Sequence, residues 1–357
     1  MAIAAVGAGA LLNFLFPVPS PPPLPGPHAV GTLTFEIPAQ GAAPRLLAQI
    51  WYPAANPSGG RPSPWLPDPA LAPSFPFHRI ARALARARIG APLWTSPGAK
   101  LPVIFYEHSW TGHRAENIAQ VESLASQGFV VVAVDHPGQA ARIRYADGAV
   151  VLTELRASVD FSSATGVAEF ESTAGRCLTE RASNVERVRA SLENGAVPVL
   201  HDKINLDRLG VFGFSFGGTC ALRLCARHPS FHAGANEDGL FLGDEMPRGP
   251  FLFFDQEMPA WLLANPAPGE DAGQALTRRA EAQILKALKQ PDRHRVILDG
   301  ATHESFNDRI FLSRYPRVAG AGNRPAAEIH GILSTRLAGF FSRHLGSAPH
   351  PLESPDS

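Results

Sequence analysis

The sequence has no excess of charge of either sign. Its 357 residues include 32 Lys and Arg against 32 Asp and Glu, so the formal net charge at pH 7 is zero. Binding to nucleic acid, and electrostatic adsorption to an anionic membrane, both depend on a basic excess. We therefore expect no nucleic-acid partner.

Cysteine is also scarce. The chain has three, Cys177, Cys220 and Cys225, so any disulfide scheme leaves one of them unpaired. It contains no C-x-x-C pair and no Cys/His cluster with the spacing of metal ligands. These absences predict a protein without a bound metal or other cofactor.

The apolar N-terminal segment is too short to cross a membrane. Residues 1–16 carry no charge, and they lack the basic residue that precedes the apolar part of a secretory signal. They fit either the shortened end of an export or anchor segment or an apolar arm packed on the domain. Residues 17–27 read as a stiff Pro-rich tether. Together residues 1–27 resemble a membrane-proximal stalk, which predicts an exported or membrane-anchored protein near a membrane. A cytoplasmic protein is the alternative.

The composition, 45% hydrophobic and 18% charged, allows a large core. Strands are predicted at 101–108, 129–135, 209–214, 232–238, 251–255 and 295–300, and helices at 116–127, 179–194, 216–227, 271–289 and 326–344. Alternation of this kind predicts one α/β domain over residues 28–345, with a mostly parallel central sheet covered by helices on both faces.

Four other segments complete this description. Residues 31–37 and 46–53 alternate like a β-hairpin, and residues 77–90 read as a basic helical stretch. Residues 136–178 are polar with weak periodicity, which predicts loops and a lid. Residues 346–357 are expected to form a flexible tail.

A candidate nucleophile lies between a predicted strand and a predicted helix. Gly213-Phe214-Ser215-Phe216-Gly217 has the G-x-S-x-G pattern of the nucleophile turn in the α/β-hydrolase fold. The turn is so sharp that a Cβ at either glycine would collide with its neighbours, and it exposes the serine Oγ at a helix N-terminus. The alternative is a tight glycine turn with a capping serine. The position of the pattern between a predicted strand and a predicted helix favours Ser215 as a nucleophile.

A serine nucleophile needs a base, and an imidazole suits neutral pH. In this fold the histidine follows the last strand, where the sequence has His303. The other downstream histidines lie in a strand, a helix or the tail: His294, His330, His344 and His350.

The acid follows one of two strands. Asp238 ends the predicted strand 232–238, and Asp255 and Glu257 lie at the end of the next one. We favour Asp238 and keep Glu257 and Asp255 as alternatives. Asp244 reads as a solvated loop residue, and Asp299 as a loop cap.

Two backbone N–H groups must hold the oxyanion of a tetrahedral intermediate. One comes from the residue after the nucleophile, here Phe216, and the other from the turn after an early strand. In the turn that follows strand 101–108, Trp110 is the best candidate. Its indole is also expected to line the acyl pocket, and ordinary rim packing is the alternative.

Seven segments together carry a resemblance to a known family. They are QIWYPA (49–54), PVIFYEHSWTG (102–112), LASQGFVVVAVDHPG (124–138), RLGVFGFSFGGTCAL (208–222), EDGLFLGDE (237–245), PFLFFDQE (250–257) and GATHESFND (300–308). In this order, over about residues 28–345, they resemble the plasma-type platelet-activating-factor acetylhydrolases and their bacterial relatives, of the α/β-hydrolase superfamily.

The resemblance implies, for these residues, the catalytic roles that the sequence pattern already suggested. Ser215 would be the nucleophile, Asp238 the acid and His303 the base, with Trp110 and Phe216 as oxyanion donors. It also implies calcium-independent hydrolysis of short-acyl esters, of the kind found in platelet-activating factor and oxidised phospholipids.

The chain departs from the family at the oxyanion turn. Family members usually have a glycine-bearing His-Gly turn where this chain has His108-Ser109-Trp110. An aromatic residue there is similar to the cutinase-like polyester hydrolases, so hydrolysis of polyesters or phthalate esters is the alternative function. The alternative from another class is a non-catalytic binding protein on a hydrolase scaffold, and the intact serine, acid and histidine positions argue against it. The expected partner is a small-molecule ester or a lipid.

Overall fold

A large sheet organises the part of the chain that the computed structural model describes, residues 11–95, 98–263 and 269–346. Within those residues the sheet has ten strands, in the order β12-β11-β10-β9-β5-β6-β2-β1-β4-β3. The strands are β1 (Ala29–Ile37), β2 (Leu46–Ala54), β3 (Arg61–Pro64), β4 (Leu84–Ile89), β5 (Leu101–Glu107), β6 (Val130–Asp135), β9 (Ile204–Phe214), β10 (Phe231–Glu237), β11 (Phe251–Gln256) and β12 (Arg293–Leu298). A separate ribbon pairs β7 (Arg142–Arg144) with β8 (Val150–Leu152).

Six neighbouring strands of the sheet, β12, β11, β10, β9, β5 and β6, are parallel to one another. The next strand, β2, pairs with β6 in the antiparallel direction. Their sequences are nearly continuous apolar runs because both faces of the sheet are buried. In β5, Val103 and Phe105 enter the core on one face, while Ile104 and Tyr106 enter the core on the other.

Helices cover both faces. They are α1 (Ile118–Ser126), α2 (Ala164–Glu193), α3 (Phe216–Arg227), the short α4 (Ala260–Leu263), α5 (Ala272–Ala287) and α6 (Ala326–Leu345). Side chains of α2, α3 and α5 fill one core, and those of α1 and α6 fill the core on the opposite face. The predicted α/β-hydrolase architecture is confirmed.

Two local predictions are wrong. Within the basic stretch 77–90, residues Phe77–Arg82 form only a 3₁₀ helix and Leu84–Ile89 form β4. The sequence LARARI alternates with the period of two that suits a strand, and β4 pairs with both β1 and β3. The segment 136–178 is not loop throughout, because α2 begins at Ala164, fifteen residues before the predicted start, and β7 and β8 form a ribbon.

The N-terminal segment lies against the domain from residue 11. The carbonyl of Leu15 accepts hydrogen bonds from the Arg314 N–H (3.1 Å) and the Ser313 hydroxyl (3.0 Å), and Arg86 donates to the carbonyl of Pro21 in the Pro-rich segment. Residues 1–10, and all of the predicted tail except Gly346, lie outside the described residues. Within the described ranges, no helix combines the length and the apolar character needed to span a membrane.

Candidate active site

The carboxyl ends of four parallel strands bring the predicted site residues to one edge of the sheet. Ser215 follows β9, Asp238 follows β10, and Trp110 lies three residues after β5. His303 begins a 3₁₀ turn, His303–Phe306, after β12. The backbone register places Phe214 opposite Glu237, so Ser215 and Asp238 leave adjacent strands at the same level.

The turn at Ser215 has the strained geometry expected of a nucleophile turn. Its backbone angles, φ of 56° and ψ of −122°, lie in a region that residues other than glycine rarely adopt. A Cβ on Gly217 would lie 1.9 Å from the carbonyl oxygen of Glu107, and one on Gly213 would lie 2.4 Å from the carbonyl carbon of Gly217. The two glycines therefore let β9, α3 and the end of β5 meet closely enough to expose Ser215.

Ser215, His303 and Asp238 form one chain of hydrogen bonds. Nε2 of His303 lies 3.0 Å from Oγ of Ser215, and Nδ1 of the same ring lies 2.6 Å from Oδ2 of Asp238. Because a carboxylate can only accept, Nδ1 carries the proton and Nε2 is free to accept one from the serine. The imidazole is thus held in the tautomer that a general base needs.

The surroundings of His303 favour its charged form. Burial alone would lower the pKa of the imidazole, but the hydrogen bond and negative charge of Asp238 outweigh burial. The carboxylates of Glu304 and Glu116 act in the same direction, and the pKa of His303 lies above its ordinary value of 6.5. Asp238 therefore stabilises the imidazolium that forms when His303 takes a proton.

The alternative acids have other partners. Oδ2 of Asp255 accepts a hydrogen bond from Nε of Arg295 at 2.8 Å, and Oε2 of Glu257 accepts one from the backbone N–H of Gly300 at 2.9 Å. In the described part of the chain, neither hydrogen-bonds to His303. The structure therefore brings Asp238, and neither of the other two, to the imidazole.

The two predicted oxyanion donors are adjacent in space. The rings of Trp110 and Phe216 pack edge to face with their centroids 5.0 Å apart. Among the described residues the backbone N–H groups of Trp110 and Phe216 have no acceptor. The Trp110 indole N–H donates to the carbonyl of Arg156 at 3.0 Å, which fixes the ring beside the serine. These two backbone N–H groups are thus available to a ligand at Ser215.

Two pockets open at this centre, and Ser215, His303 and Trp110 line both. The first, which we call the polar pocket, has a volume of about 510 Å³ and a mixed wall that includes Glu116, Glu304 and Arg309. The second, the apolar pocket, has a volume of about 480 Å³. Its wall includes Phe161, Phe170, Leu240, Trp261 and Ile284.

Two polar residues of the site are absent from the sequence-based prediction. Gln256 donates from its backbone N–H and its side-chain amide to the two carboxylate oxygens of Asp238, both at 3.1 Å. Glu116 accepts hydrogen bonds from the backbone N–H and the hydroxyl of Ser109. The position of Gln256 at the end of β11 is a usable signal, because strand ends meet at this edge. Glu116, in a loop, has no such signal.

Comparison with known proteins agrees with this geometry. The family model for platelet-activating factor acetylhydrolase, isoform II, matches residues 19–319. The chain belongs to this family. It is similar to a platelet-activating factor acetylhydrolase of Gallus gallus, with 24% identity over 334 residues that cover 81% of this chain and 74% of the relative.

Membership confirms the resemblance found in the sequence and makes the protein a carboxylic-ester hydrolase that acts on small-molecule esters. The fold is also that of a ferulic acid esterase from Streptomyces cinnamoneus, with a TM-score of 0.70 and 21% identity over 95% of this chain and 97% of the esterase. In the part of this chain that the structure describes, no three His, Cys, Asp or Glu side chains are grouped so that they could hold a metal ion.

Proposed function

We propose that the protein hydrolyses esters through an acyl-enzyme on Ser215, and that its substrates are short-acyl esters of the platelet-activating-factor and oxidised-phospholipid type. The observation that carries the mechanism is the hydrogen-bonded chain from Ser215 through His303 to Asp238. Its three members have the chemical types and the order that nucleophilic catalysis by serine requires.

In the first half of the reaction His303 removes the proton of Ser215 as Oγ bonds to the ester carbonyl carbon. The carbonyl oxygen becomes an oxyanion and accepts hydrogen bonds from the backbone N–H groups of Trp110 and Phe216. When the intermediate collapses, the bond to the alcohol breaks and His303 returns the proton to the alcohol. Water then attacks the acyl-serine by the same steps and releases the acid.

The two pockets support an amphipathic substrate. In a short-acyl phospholipid, the long chain and the polar head group both belong to the alcohol part and flank the small acyl group. Ser215 likewise lines both the apolar and the polar pocket. We assign the long chain to the apolar pocket and the head group to the polar pocket, with the acyl group between them.

A second candidate function rests on the aromatic wall of the apolar pocket. Phe161 and Phe170 pack edge to face with centroids 5.1 Å apart, and Trp110 contacts Phe170 at 5.4 Å. Aromatic side chains pack favourably with an aromatic ligand in offset or edge-to-face contacts. This wall favours esters of aromatic acids, as in phthalate esters and aromatic polyesters.

One substrate panel tests the proposal and the alternative together. It contains phosphocholine lipids with one long alkyl chain and an acyl ester of two to twelve carbons, and an aromatic diester such as a terephthalate. We expect kcat/KM to be highest for the shortest acyl group and lower for the diester. Turnover of the diester without turnover of the lipids would favour the polyester function.

The Ser215→Ala variant, assayed on the same panel, tests the chemistry. We expect kcat to fall by about 10⁵ or more, because nucleophile and base act as a unit. Retention of more than about a tenth of wild-type kcat by the folded variant would rule out Ser215 as the nucleophile.

A further inference from the structure

A fully buried arginine lies directly behind the oxyanion turn. Arg181, on α2, has no solvent-exposed surface, although its guanidinium is always charged. Its carboxylate neighbour is the equally buried Glu107, whose Oε2 lies 3.8 Å from Nη1. Such buried ion pairs add little to net stability, because desolvation opposes their attraction. The contacts of Arg181 point to another role.

The guanidinium holds two successive carbonyl groups of the oxyanion turn. Nη1 of Arg181 donates to the carbonyl of His108 at 2.5 Å, and Nη2 donates to the carbonyl of Ser109 at 3.1 Å. Its Nε donates to Oε1 of Gln139 at 2.8 Å, which fixes the plane of the guanidinium. A planar donor with this geometry orients both carbonyls at once, which a lysine ammonium does not.

The second of these carbonyls belongs to the peptide group that carries a predicted oxyanion donor. The C=O of Ser109 and the N–H of Trp110 are parts of one planar unit and point in opposite directions. The carbonyl of Ser109 also accepts from the Gly112 N–H at 3.2 Å and lies 2.8 Å from Nδ1 of His108, so Arg181 is its charged donor among three neighbours. Together these contacts fix the direction of the Trp110 N–H. A charged donor on the carbonyl also polarises the peptide and strengthens the hydrogen bond that its N–H donates.

The preceding peptide group is held from both ends. Its carbonyl, on His108, accepts from Arg181, and its N–H, on Ser109, donates to Oε2 of Glu116 at 2.9 Å. Two consecutive peptide planes are thus set by charged side chains. The turn therefore has little freedom to change the direction of the Trp110 N–H.

The same guanidinium contacts the residue that supplies the other donor. Its Cζ lies 4.8 Å from the centre of the Phe216 ring, within the range of a cation–π contact. Phe216 follows Ser215 and begins α3. One side chain therefore contacts both the oxyanion turn and the residue that supplies the second predicted donor.

We propose that Arg181 is a positioning residue, which aims and polarises the oxyanion-binding N–H group of Trp110 and seats Phe216 beside it. The inference rests on the proposed acyl-enzyme function, since it concerns how that enzyme binds its oxyanion. Arg181 contacts backbone and ring atoms of the turn, and its effect reaches the substrate through Trp110 and Phe216.

The test uses the full chain with Arg181→Lys, which keeps the charge, and Arg181→Met, which removes it. We measure kcat, KM and the Ki of a trifluoromethyl ketone, which forms a tetrahedral adduct with the serine and places an oxyanion in the hole. Because removal of one oxyanion donor costs about 10²–10³ in kcat, we expect Arg181→Lys to lower kcat by about 10- to 100-fold. We expect KM to stay within about threefold, and Ki to rise by the same factor as kcat falls. Arg181→Met should show a larger effect.

The matched control is Arg187→Met on the same helix. Arg187 donates to the backbone carbonyls of Pro44 and Pro38, far along the chain from the oxyanion turn. We expect its kcat and Ki to stay within about twofold of wild type. A folded Arg181→Lys variant with wild-type kcat and Ki would overturn the inference, and so would a loss of kcat without a rise in Ki.

If neither Arg181 variant folds, Gln139→Met provides the test, since it leaves Arg181 in place and removes the acceptor of the guanidinium Nε. It also removes the hydrogen bonds that the Gln139 amide donates to Glu180 and to the carbonyl of Cys177 on α2. We then expect a smaller fall in kcat with a matching rise in Ki, and wild-type values in the folded variant would overturn the inference. Ser215→Ala keeps the two proposals apart. An active Ser215→Ala contradicts the acyl-enzyme function itself, whereas an inactive one beside normal Arg181 variants contradicts only the role of Arg181.

Discussion

The reacting groups and the pockets beside them are built from different parts of the molecule. Ser215, Asp238 and His303 stand at the ends of parallel strands and are hydrogen-bonded to one another. The pocket walls come mainly from connecting segments, such as residues 157–161 and the short helix α4, whose Trp261 is 36% exposed. The sheet therefore sets the chemistry and the connections set the choice of ester. Changes at the strand ends should slow every ester, whereas changes in a pocket should alter the ratio between esters.

Asp238→Asn should have the largest effect among the changes that leave the nucleophile in place. We expect kcat to fall by about 10⁴ for all esters, because an amide favours the wrong tautomer of His303. Asp255→Asn and Glu257→Gln are the controls and should cost far less, since those carboxylates bind Arg295 and Gly300 instead. The measurement is kcat for the three variants, with folding checked by circular dichroism. If Glu257→Gln lost its activity while Asp238→Asn kept it, the acid would be the residue that follows β11 and not the one that follows β10.

The pH dependence of the reaction should reflect the carboxylates around His303. His303 must be neutral to act as a base, and its pKa lies above 6.5 because of Asp238 and, more weakly, Glu304 and Glu116. We therefore expect kcat/KM to rise with pH to a plateau, with a midpoint above 6.5. Glu304→Gln should move the midpoint to lower pH without lowering the plateau much. A midpoint at or below 6.5 in the wild type would contradict this description of the site.

A substitution in the apolar pocket should change selectivity and spare the chemistry. Thr277 on α5 lines this pocket, and Thr277→Phe would fill part of it. We expect kcat/KM for a long-chain, acetyl-bearing phosphocholine lipid to fall by about tenfold relative to p-nitrophenyl acetate. Thr277→Val, of nearly the same size, is the matched control. Equal losses on both substrates would show that the pocket does not hold the long chain.

The smallest effect is expected from removal of metal ions. Activity on every ester should be unchanged after dialysis against EDTA, because the proposed steps use only side chains and backbone N–H groups. The assay compares dialysed enzyme with enzyme to which calcium or zinc is restored. A loss that either ion reverses would contradict the proposed mechanism.

The strand ends were the part of the site that the sequence revealed best. Continuous apolar runs marked β5, β9, β10 and β11, and the residues that follow such strands, Ser215 and Asp238 among them, must meet at one edge. The family resemblance led to the same residues. The strands and the turn between β9 and α3 were predictable because burial on both faces and glycine at a tight turn leave strong local patterns.

Two elements, α2 and β4, were predicted less well, each for its own physical reason. The first half of α2 packs small residues such as Ala174 and Cys177 into the core, and these give a weak apolar period. In β4 the Ala and Arg residues favour helix by intrinsic propensity, but pairing with β1 and β3 outweighs it. Arg181 was not foreseen either, because a charged helical residue normally faces solvent and its buried partners are distant in sequence.

The most direct test of the central claim is the site of covalent labelling by a fluorophosphonate. We measure residual esterase activity and, by mass spectrometry of peptides, the residue that carries the adduct. We expect activity to fall in proportion to one adduct per chain on Ser215, and Ser215→Ala to remain unlabelled. Inactivation with Ser215 unmodified, or equal labelling of Ser215→Ala, would contradict the proposal that this serine is the nucleophile.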